Sequence, residues 1–244
     1  MEVKDKIVAI TGGAAGIGAT IAQNLADQGA RVVRLDVAQP QDPSIGELFI
    51  ECDVTSEESL ATAVARIRAD MGEVSALFLN AGVMSRPASA SLFSDPLEIA
   101  GTDAYHRVFN VNVNGMVYGL KAFLPSLQAA GNAQIVATAS TTGLTGLGPD
   151  PYYSMSKHAV VGFVRSFAQV LEPAGIKINA ICPGGVKTDI VPKDMAELAE
   201  SFMAPEELAE AAIAILSEGT SGGIWVKDLA GKPMWMVDEI LDSA

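Results

Sequence analysis

The chain has 244 residues, 49% of them apolar and only 18% charged, against roughly 25% charged in an average globular domain, a balance that excludes a disordered chain. Its 16 Lys and Arg against 29 Asp and Glu leave a net charge of −13, the wrong sign for tracking nucleic-acid phosphates or an anionic membrane surface. No apolar run approaches the roughly eighteen residues of a membrane span, which excludes a helical membrane protein.

The N-terminus, Met1 to Lys6, mixes both charges and lacks the apolar segment of a signal peptide, so it leads straight into a first strand. Short β-branched runs follow one another from end to end: Lys6 to Ile10, Arg31 to Leu35, Leu48 to Cys52, Ala76 to Leu79, Gln134 to Thr138, Lys177 to Ile181 and Ile224 to Val226. Near-continuous apolar strands belong to parallel sheets covered on both faces, and helix-period segments stand between these runs. The expected fold is α/β, a single doubly wound Rossmann-type domain spanning 1–244 with helices on both faces. Between the third and fourth strands, Leu60, Val64, Ile67 and Met71 form one apolar stripe, and Thr55 followed by Glu58 reads as a capping box in front of it. Ala159, Val160, Phe163, Val164, Phe167, Val170 and Leu171 form a stripe wider than one sheet face requires, which predicts a contact with a second subunit. The segments 83–102 and 184–204 are rich in Pro, Ser, Asp or Gly and long enough to be functional loops.

After the first strand comes Thr11-Gly12-Gly13-Ala14-Ala15-Gly16-Ile17-Gly18, opening a helix. Glycines there let a diphosphate approach the amides of a helix N-terminus, where the macrodipole adds roughly half a positive charge. A glycine turn without a ligand is the plainer alternative. Asp36, at the end of the second strand and eighteen residues past Gly18, argues against it. A carboxylate there accepts from ribose hydroxyls and repels a 2′-phosphate, so NAD is expected over NADP. Arg34, two residues earlier and on the same side of the strand, is the one cation placed to reach a phosphate.

Tyr153 and Lys157 stand four residues apart, about 400° around a helix, and so share a face. An ammonium about 5 Å from a phenolate at an effective dielectric near 20 interacts by roughly 3 kcal/mol, which is expected to draw the phenol's pKa down by about two units. Tyr153 is thereby a candidate general acid/base, and Ser140, after the fifth strand, a candidate donor to a carbonyl oxygen. Thr138, Thr141 and Thr142 compete with Ser140 for that assignment. Tyr152 points some 140° away from Lys157 and is expected to pack or to form pocket wall. His106 and His158 are too few and too far apart for His-based chemistry, and with Cys52 and Cys182 they lack metal-ligand spacing, so no metal is expected. Two cysteines without a disulfide framework suit a reducing cytoplasm.

From about Lys6 to Thr188 the chain resembles the classical short-chain dehydrogenase/reductase family. The resemblance rests on Thr11-Gly12-x-x-x-Gly16-x-Gly18, Asp53 after the third strand, Asn80-Ala81-Gly82 after the fourth, Asn112, Ser140, Tyr153-x-x-x-Lys157, and Pro183-Gly184 followed by Thr188. It implies catalytic roles for Asn112, Ser140, Tyr153 and Lys157, with Lys157 also a ligand of the nicotinamide ribose and Asn112 holding a water that links Lys157 to solvent. It implies NAD contacts from Gly12, Gly16, Ile17, Gly18, Asp36, Asp53, Val54, Asn80, Ala81, Gly82, Tyr153, Lys157, Pro183, Gly184, Val186 and Thr188, and a homotetramer or homodimer. The implied activity is interconversion of a secondary alcohol and a ketone by an NAD-dependent enzyme, running towards oxidation. The loops place Met84, Tyr152, Ile190, Met195 and Phe202 around a substrate with an apolar body, with Arg86 and Lys187 as candidate carboxylate ligands. The chain departs from the family at Leu79 and Ala137, where Asn is usual, and at Lys227-Asp228-Leu229, where Asp-Gly-Gly is usual; Met234-Trp235-Met236 reads as core or subunit interface. A non-catalytic dinucleotide-sensing regulator on the same fold is the alternative from another class, and an enoyl reductase would want a wider Tyr-to-Lys spacing.

Overall fold

The computed structural model describes residues 1–86, 89, 91, 94–99, 101–190, 199–218 and 220–237. All seven expected strands form: β1 (Ile7–Thr11), β2 (Arg31–Asp36), β3 (Leu48–Glu51), β4 (Ala76–Leu79), β5 (Ala133–Thr138), β6 (Ile176–Pro183) and β7 (Ile224–Lys227). They pair in parallel in the order β3-β2-β1-β4-β5-β6-β7, and an eighth strand, β8 (Trp235–Met236), closes the edge antiparallel to β7. The chain order reverses across β1, which has β2 on one side and β4 on the other. Above the carboxyl ends of those strands lies the crevice where such sheets bind ligands.

Alternate residues of each strand feed two cores, as the period of two demands. Ala9, Leu77 and Ile135 face one core, which also takes Leu60, Val64 and Ile67 of α2 (Glu57–Asp70), Phe123 of α4 (Gly115–Ala130) and Val160 and Val164 of α5 (Pro151–Leu171). Val8, Ile10 and Phe78 face the other, with Ile21 and Leu25 of α1 (Gly16–Asp27) and Leu208 and Ile213 of α6 (Pro205–Ala214). α3 (Thr102–Phe109) runs through a π-helical turn, Asn110–Asn114, into α4.

One expectation is corrected, the cap of α2, and two apolar clusters are resolved into buried and exposed parts. The cap of α2 is Ser56, whose Oγ accepts from the Ser59 amide at 3.2 Å; Thr55 turns its hydroxyl instead to the Asp53 carboxylate, at 2.8 Å. The wide stripe of α5 divides: Val160, Val164 and Leu171 are buried and Phe163 and Phe167 pack against the core, while Val170 is left 67% exposed. Within Met234-Trp235-Met236, two residues form β8, with Trp235 and Met236 exposed on it rather than buried in a core.

Candidate active site

Thr11, the last residue of β1, stitches the crevice: its Oγ1 donates to the Phe78 carbonyl and accepts the amides of Asn80 and Ala81 at 3.0 and 3.2 Å. The loop that follows needs its glycines. Gly12 has φ +67°, and a Cβ there would meet Ala81 Cα at 2.8 Å; a Cβ on Gly18 would lie 2.1 Å from the Gly12 carbonyl oxygen. α1 begins after Ala15 with no side-chain cap and no acid in its first turn, which leaves its leading amides turned to the crevice without a side-chain partner. These features fit the diphosphate of a dinucleotide.

Asp36 ends β2 facing the same crevice, its carboxylate accepting the Ala14 and Ala38 amides at 3.0 and 3.1 Å. Arg34 is 1% exposed and runs beneath Gly13, whose Cβ position is 2.9 Å from Arg34 Cβ. Its Nε and Nη1 have no hydrogen-bond partner, burial lowers its pKa, and it does not line the cavity. The cation placed by sequence to reach a phosphate therefore points elsewhere. Asn80 ties three strand ends together, donating to the Thr11 and Gly12 carbonyls and accepting from Thr138 Oγ1 at 3.0 Å.

α5 carries the candidate pair Tyr153 and Lys157. Asp150, fully buried, caps it by accepting the Tyr153 amide at 3.1 Å, and Pro151 opens the first turn with the φ a helix needs. The same carboxylate accepts both the amide and the hydroxyl of Ser85, at 2.9 and 2.5 Å, pinning the loop after β4 to the start of α5. Neither Asp150 nor Ser85 was singled out by the sequence; a buried N-cap Asp next to the Tyr-x-x-x-Lys segment was the available signal. Lys157 Nζ lies 5.5 Å from the Tyr153 ring centroid and donates to the Thr138 carbonyl at 2.8 Å. Ser140 and Tyr153 line the same cavity, and the Ser140 side chain stands near enough to the phenol to draw its pKa down.

The electrostatics run opposite to the sequence expectation. Burial pushes the Tyr153 phenol up to about 12, with the nearby Ser140 side chain pulling it partly back and the Asp150 charge pushing it further. Burial also draws Lys157 down to about 8, and pushes the neighbouring Cys182 thiol up to about 11. The spacing argument weighed the cation's attraction and left out the desolvation of both charged forms, which is the larger effect here.

One cavity of about 720 Å³ gathers nearly all of the expected residues. Gly12, Gly16, Ile17, Asp36, Asp53, Val54, Asn80, Ala81, Gly82, Ser140, Tyr153, Lys157, Pro183, Gly184, Val186 and Thr188 all line it. Gly18 is not on the wall, since it packs inward on Gly12. Asn112 also lies behind the wall, fully buried within the π-helical turn, where it donates to the Val83 carbonyl and Ser156 Oγ and accepts the Val83 amide at 2.8 Å. A Cβ on Gly82 would stand 3.3 Å from Lys157 Nζ and 3.5 Å from Asn112 Oδ1, so both side chains converge on that glycine. Met84, Ile190 and Phe202 line the cavity too, joined by Leu147, while Tyr152 instead packs its ring edge-on against Tyr105 at 5.6 Å. Met195 lies outside the described residues. Arg86 is engaged with Glu98 and the Ser94 and Asp95 carbonyls, and neither it nor Lys187 lines the cavity.

Residues 6–199 match the family model described as short chain dehydrogenase. The chain is 32% identical over 234 residues to cis-4-hydroxycyclohexanecarboxylate dehydrogenase of Sinomonas cyclohexanicum, covering 89% of this chain and 91% of that protein. Among solved structures it resembles levodione reductase, with a TM-score of 0.82 and 26% identity over 92% of this chain and 96% of that one. It also resembles the 3-ketoacyl-(acyl-carrier-protein) reductase of Brucella melitensis complexed with NADH, with a TM-score of 0.80 and 25% identity over 94% and 98%. The chain belongs to the short-chain dehydrogenase/reductase family and is an oxidoreductase on a dinucleotide-binding fold. Among the described residues no helix is long and apolar enough to cross a membrane.

Proposed function

We propose that the protein is an NAD-dependent dehydrogenase interconverting a neutral, apolar-bodied secondary alcohol and its ketone, with Tyr153, Ser140, Lys157 and Asn112 as its working groups. The observation that carries this reading is the meeting of the Ser140 hydroxyl, the Tyr153 phenol and the Lys157 ammonium in the same cavity as the glycine loop and Asp36. A bound nicotinamide dinucleotide supplies the hydride acceptor for oxidation and the donor for reduction. The glycine loop and the α1 amides would hold its diphosphate, Asp36 a ribose diol, and Lys157 the nicotinamide ribose. Asp36 in the cavity and Arg34 outside it favour NAD over NADP.

Tyr153 passes a proton between its Oη and the substrate oxygen, while Ser140 donates to that oxygen and steadies the charge that builds there. Lys157 favours the phenolate as a nearby cation. Asn112, which converges with Lys157 on Gly82, is read as the proton relay to solvent. At neutral pH the phenol keeps its proton, so the free protein is set to donate, and alcohol oxidation climbs with pH. The neutral substrate follows from the cavity wall: among the described residues Lys157 is the one Lys or Arg on it, and Met84, Leu147, Ile190 and Phe202 are apolar. The segments 83–102 and 184–204 are the substrate loops of the single domain, and the outward stripe of α5, with Met155 and Val170 exposed, serves self-association into a dimer or tetramer.

The test is a panel of neutral cyclic and acyclic secondary alcohols and ketones, with matching hydroxy and keto acids, assayed with NAD and NADP by reduced-nicotinamide absorbance. Neutral substrates with NAD are expected to turn over fastest. Tyr153→Phe is expected to lower kcat by about 10²–10⁴ while NADH still binds. A variant that turned over like the parent would end the acid/base assignment and revive the sensor reading.

A further inference from the structure

We propose that Thr142 is a positioning residue for the reaction: it fixes the direction in which Ser140 donates its proton. The proposal rests on the role given to Ser140 above. A serine hydroxyl has one proton and two lone pairs. The Thr142 amide donates to Ser140 Oγ at 3.2 Å, and Thr142 Oγ1 donates to the same oxygen at 3.0 Å. With both lone pairs filled from one residue, the Ser140 oxygen has only its own O–H left to offer. That O–H is left for an acceptor in the cavity, which Ser140 and Tyr153 both line.

Thr142 is itself held rigidly. It sits in the tight turn Thr141–Gly143 that Ser140 caps, and its carbonyl accepts Ser154 Oγ of α5 at 2.8 Å. The turn lies hard against the same helix, since a Cβ on Gly143 would stand 2.6 Å from the Lys157 carbonyl oxygen. The donor's orientation is thus set by the helix that carries Tyr153 and Lys157, so donor, acid and cation keep one mutual geometry. Without the Thr142 hydroxyl, Ser140 keeps one lone pair free and its proton can rotate to other acceptors. Fewer molecules then hold the donor aimed at the developing oxyanion, which affects the transition state more than substrate binding.

The experiment compares the parent with Thr142→Val, Thr142→Ser, Ser140→Ala and the double variant Ser140→Ala/Thr142→Val, on the best substrate from the panel. Valine keeps the shape and the amide bond and removes only the hydroxyl. Thr142→Val is expected to lower kcat about tenfold with KM within about twofold, less than the roughly hundredfold or greater loss expected when the donor itself is removed. Thr142→Ser is expected to restore kcat to within about twofold. The double variant is expected to match Ser140→Ala, because without the serine there is nothing for Thr142 to orient. Unchanged kcat in Thr142→Val, failure of Thr142→Ser to restore it, or additive losses in the double variant would each overturn the proposal while leaving Ser140 as donor. Parent-like kcat in Ser140→Ala would instead remove the Ser140 role, and Thr142's with it.

Discussion

The Lys157 ammonium donates to a main-chain carbonyl and, among the described residues, pairs with no carboxylate, so its burial is offset by very little, and its pKa falls from 10.5 to about 8. Between about pH 8 and 10.5 the unfolded chain holds the Lys157 proton and the folded chain does not, so this residue makes the unfolding free energy rise with pH across that window. Lys157→Met lacks that contribution. The difference between parent and variant, which cancels the opposite drift from Cys182 and Tyr153, is expected to grow by about 3 kcal/mol across the window, read from urea melts at stepped pH. The same substitution removes the amine 5.5 Å from the Tyr153 ring. That amine is already neutral where the free phenol titrates, about 8 against about 12, so the alkaline rise of kcat/KM for alcohol oxidation is expected to stay within about half a unit of the parent's. A rise moved about one to two units up in Lys157→Met would show that the amine stays charged beside the phenol. Spacing made the partnership of Tyr153 and Lys157 legible, but the sign of the phenol's shift was not, because proximity is written in the sequence and desolvation only in the packed fold. Thr142 and Asp150 were illegible as working residues for a related reason: each acts through a local hydrogen bond that any Thr or Asp can offer.

At the start of α2 two hydroxyl residues compete for one cap. Thr55 opens the expected box, yet Asp53 captures both its amide and its hydroxyl at 2.8 Å, a local Asx turn that leaves Ser56 to bond the Ser59 amide. Ser56→Ala is therefore expected to cost about 1 kcal/mol in thermal unfolding, and Thr55→Ala clearly less, whereas a Thr55 cap would reverse that order. A one-residue shift of this kind is invisible to a spacing rule. The strands were legible because β1 to β7 are parallel and all but the edge strand β3 are largely buried, so each is written as an apolar run. β8 was not, since two exposed residues form a strand only by pairing with β7. The family departures at Leu79 and Ala137 also acquire a reason: the two residues are register partners on β4 and β5. The amides usual there have been replaced together by an apolar pair, and Leu79 lies 1% exposed, with its Cδ2 2.7 Å from the Cβ position of Gly119. Neither change leaves a buried amide without its partner.

On the scale of the whole molecule, the third departure holds the far edge of the sheet to the substrate wall. Lys227 ends β7 almost fully buried, and its ammonium pairs with Glu207 on α6 while donating to the carbonyls of Leu229 and Lys232. Glu207 also accepts the Gly231 amide at 2.6 Å, and these two bonds hold its carboxyl below the ordinary value. The segment 228–232 that this ion pair organises leads into β8, where the Val237 amide donates to Ile224. On its other side α6 follows Met203, which pairs with Val186, and Phe202, which lies over Gly185 in the cavity wall. Lys227→Met breaks the pair, removes the donor for both carbonyls, and leaves a charged Glu207 beside an apolar chain. It is expected to lower stability by about 1–2 kcal/mol and, before global unfolding, to release β8 as a local unit. Hydrogen exchange at the Val237 amide should then accelerate well beyond that of amides in β1 and β4. Because Glu207 titrates low when paired, the parent should show the same selective loosening as the pH falls below the carboxylate range, and the variant should show no further acid sensitivity at this edge. Equal acceleration across the whole sheet would mean that Lys227 supports global stability without acting as a clasp.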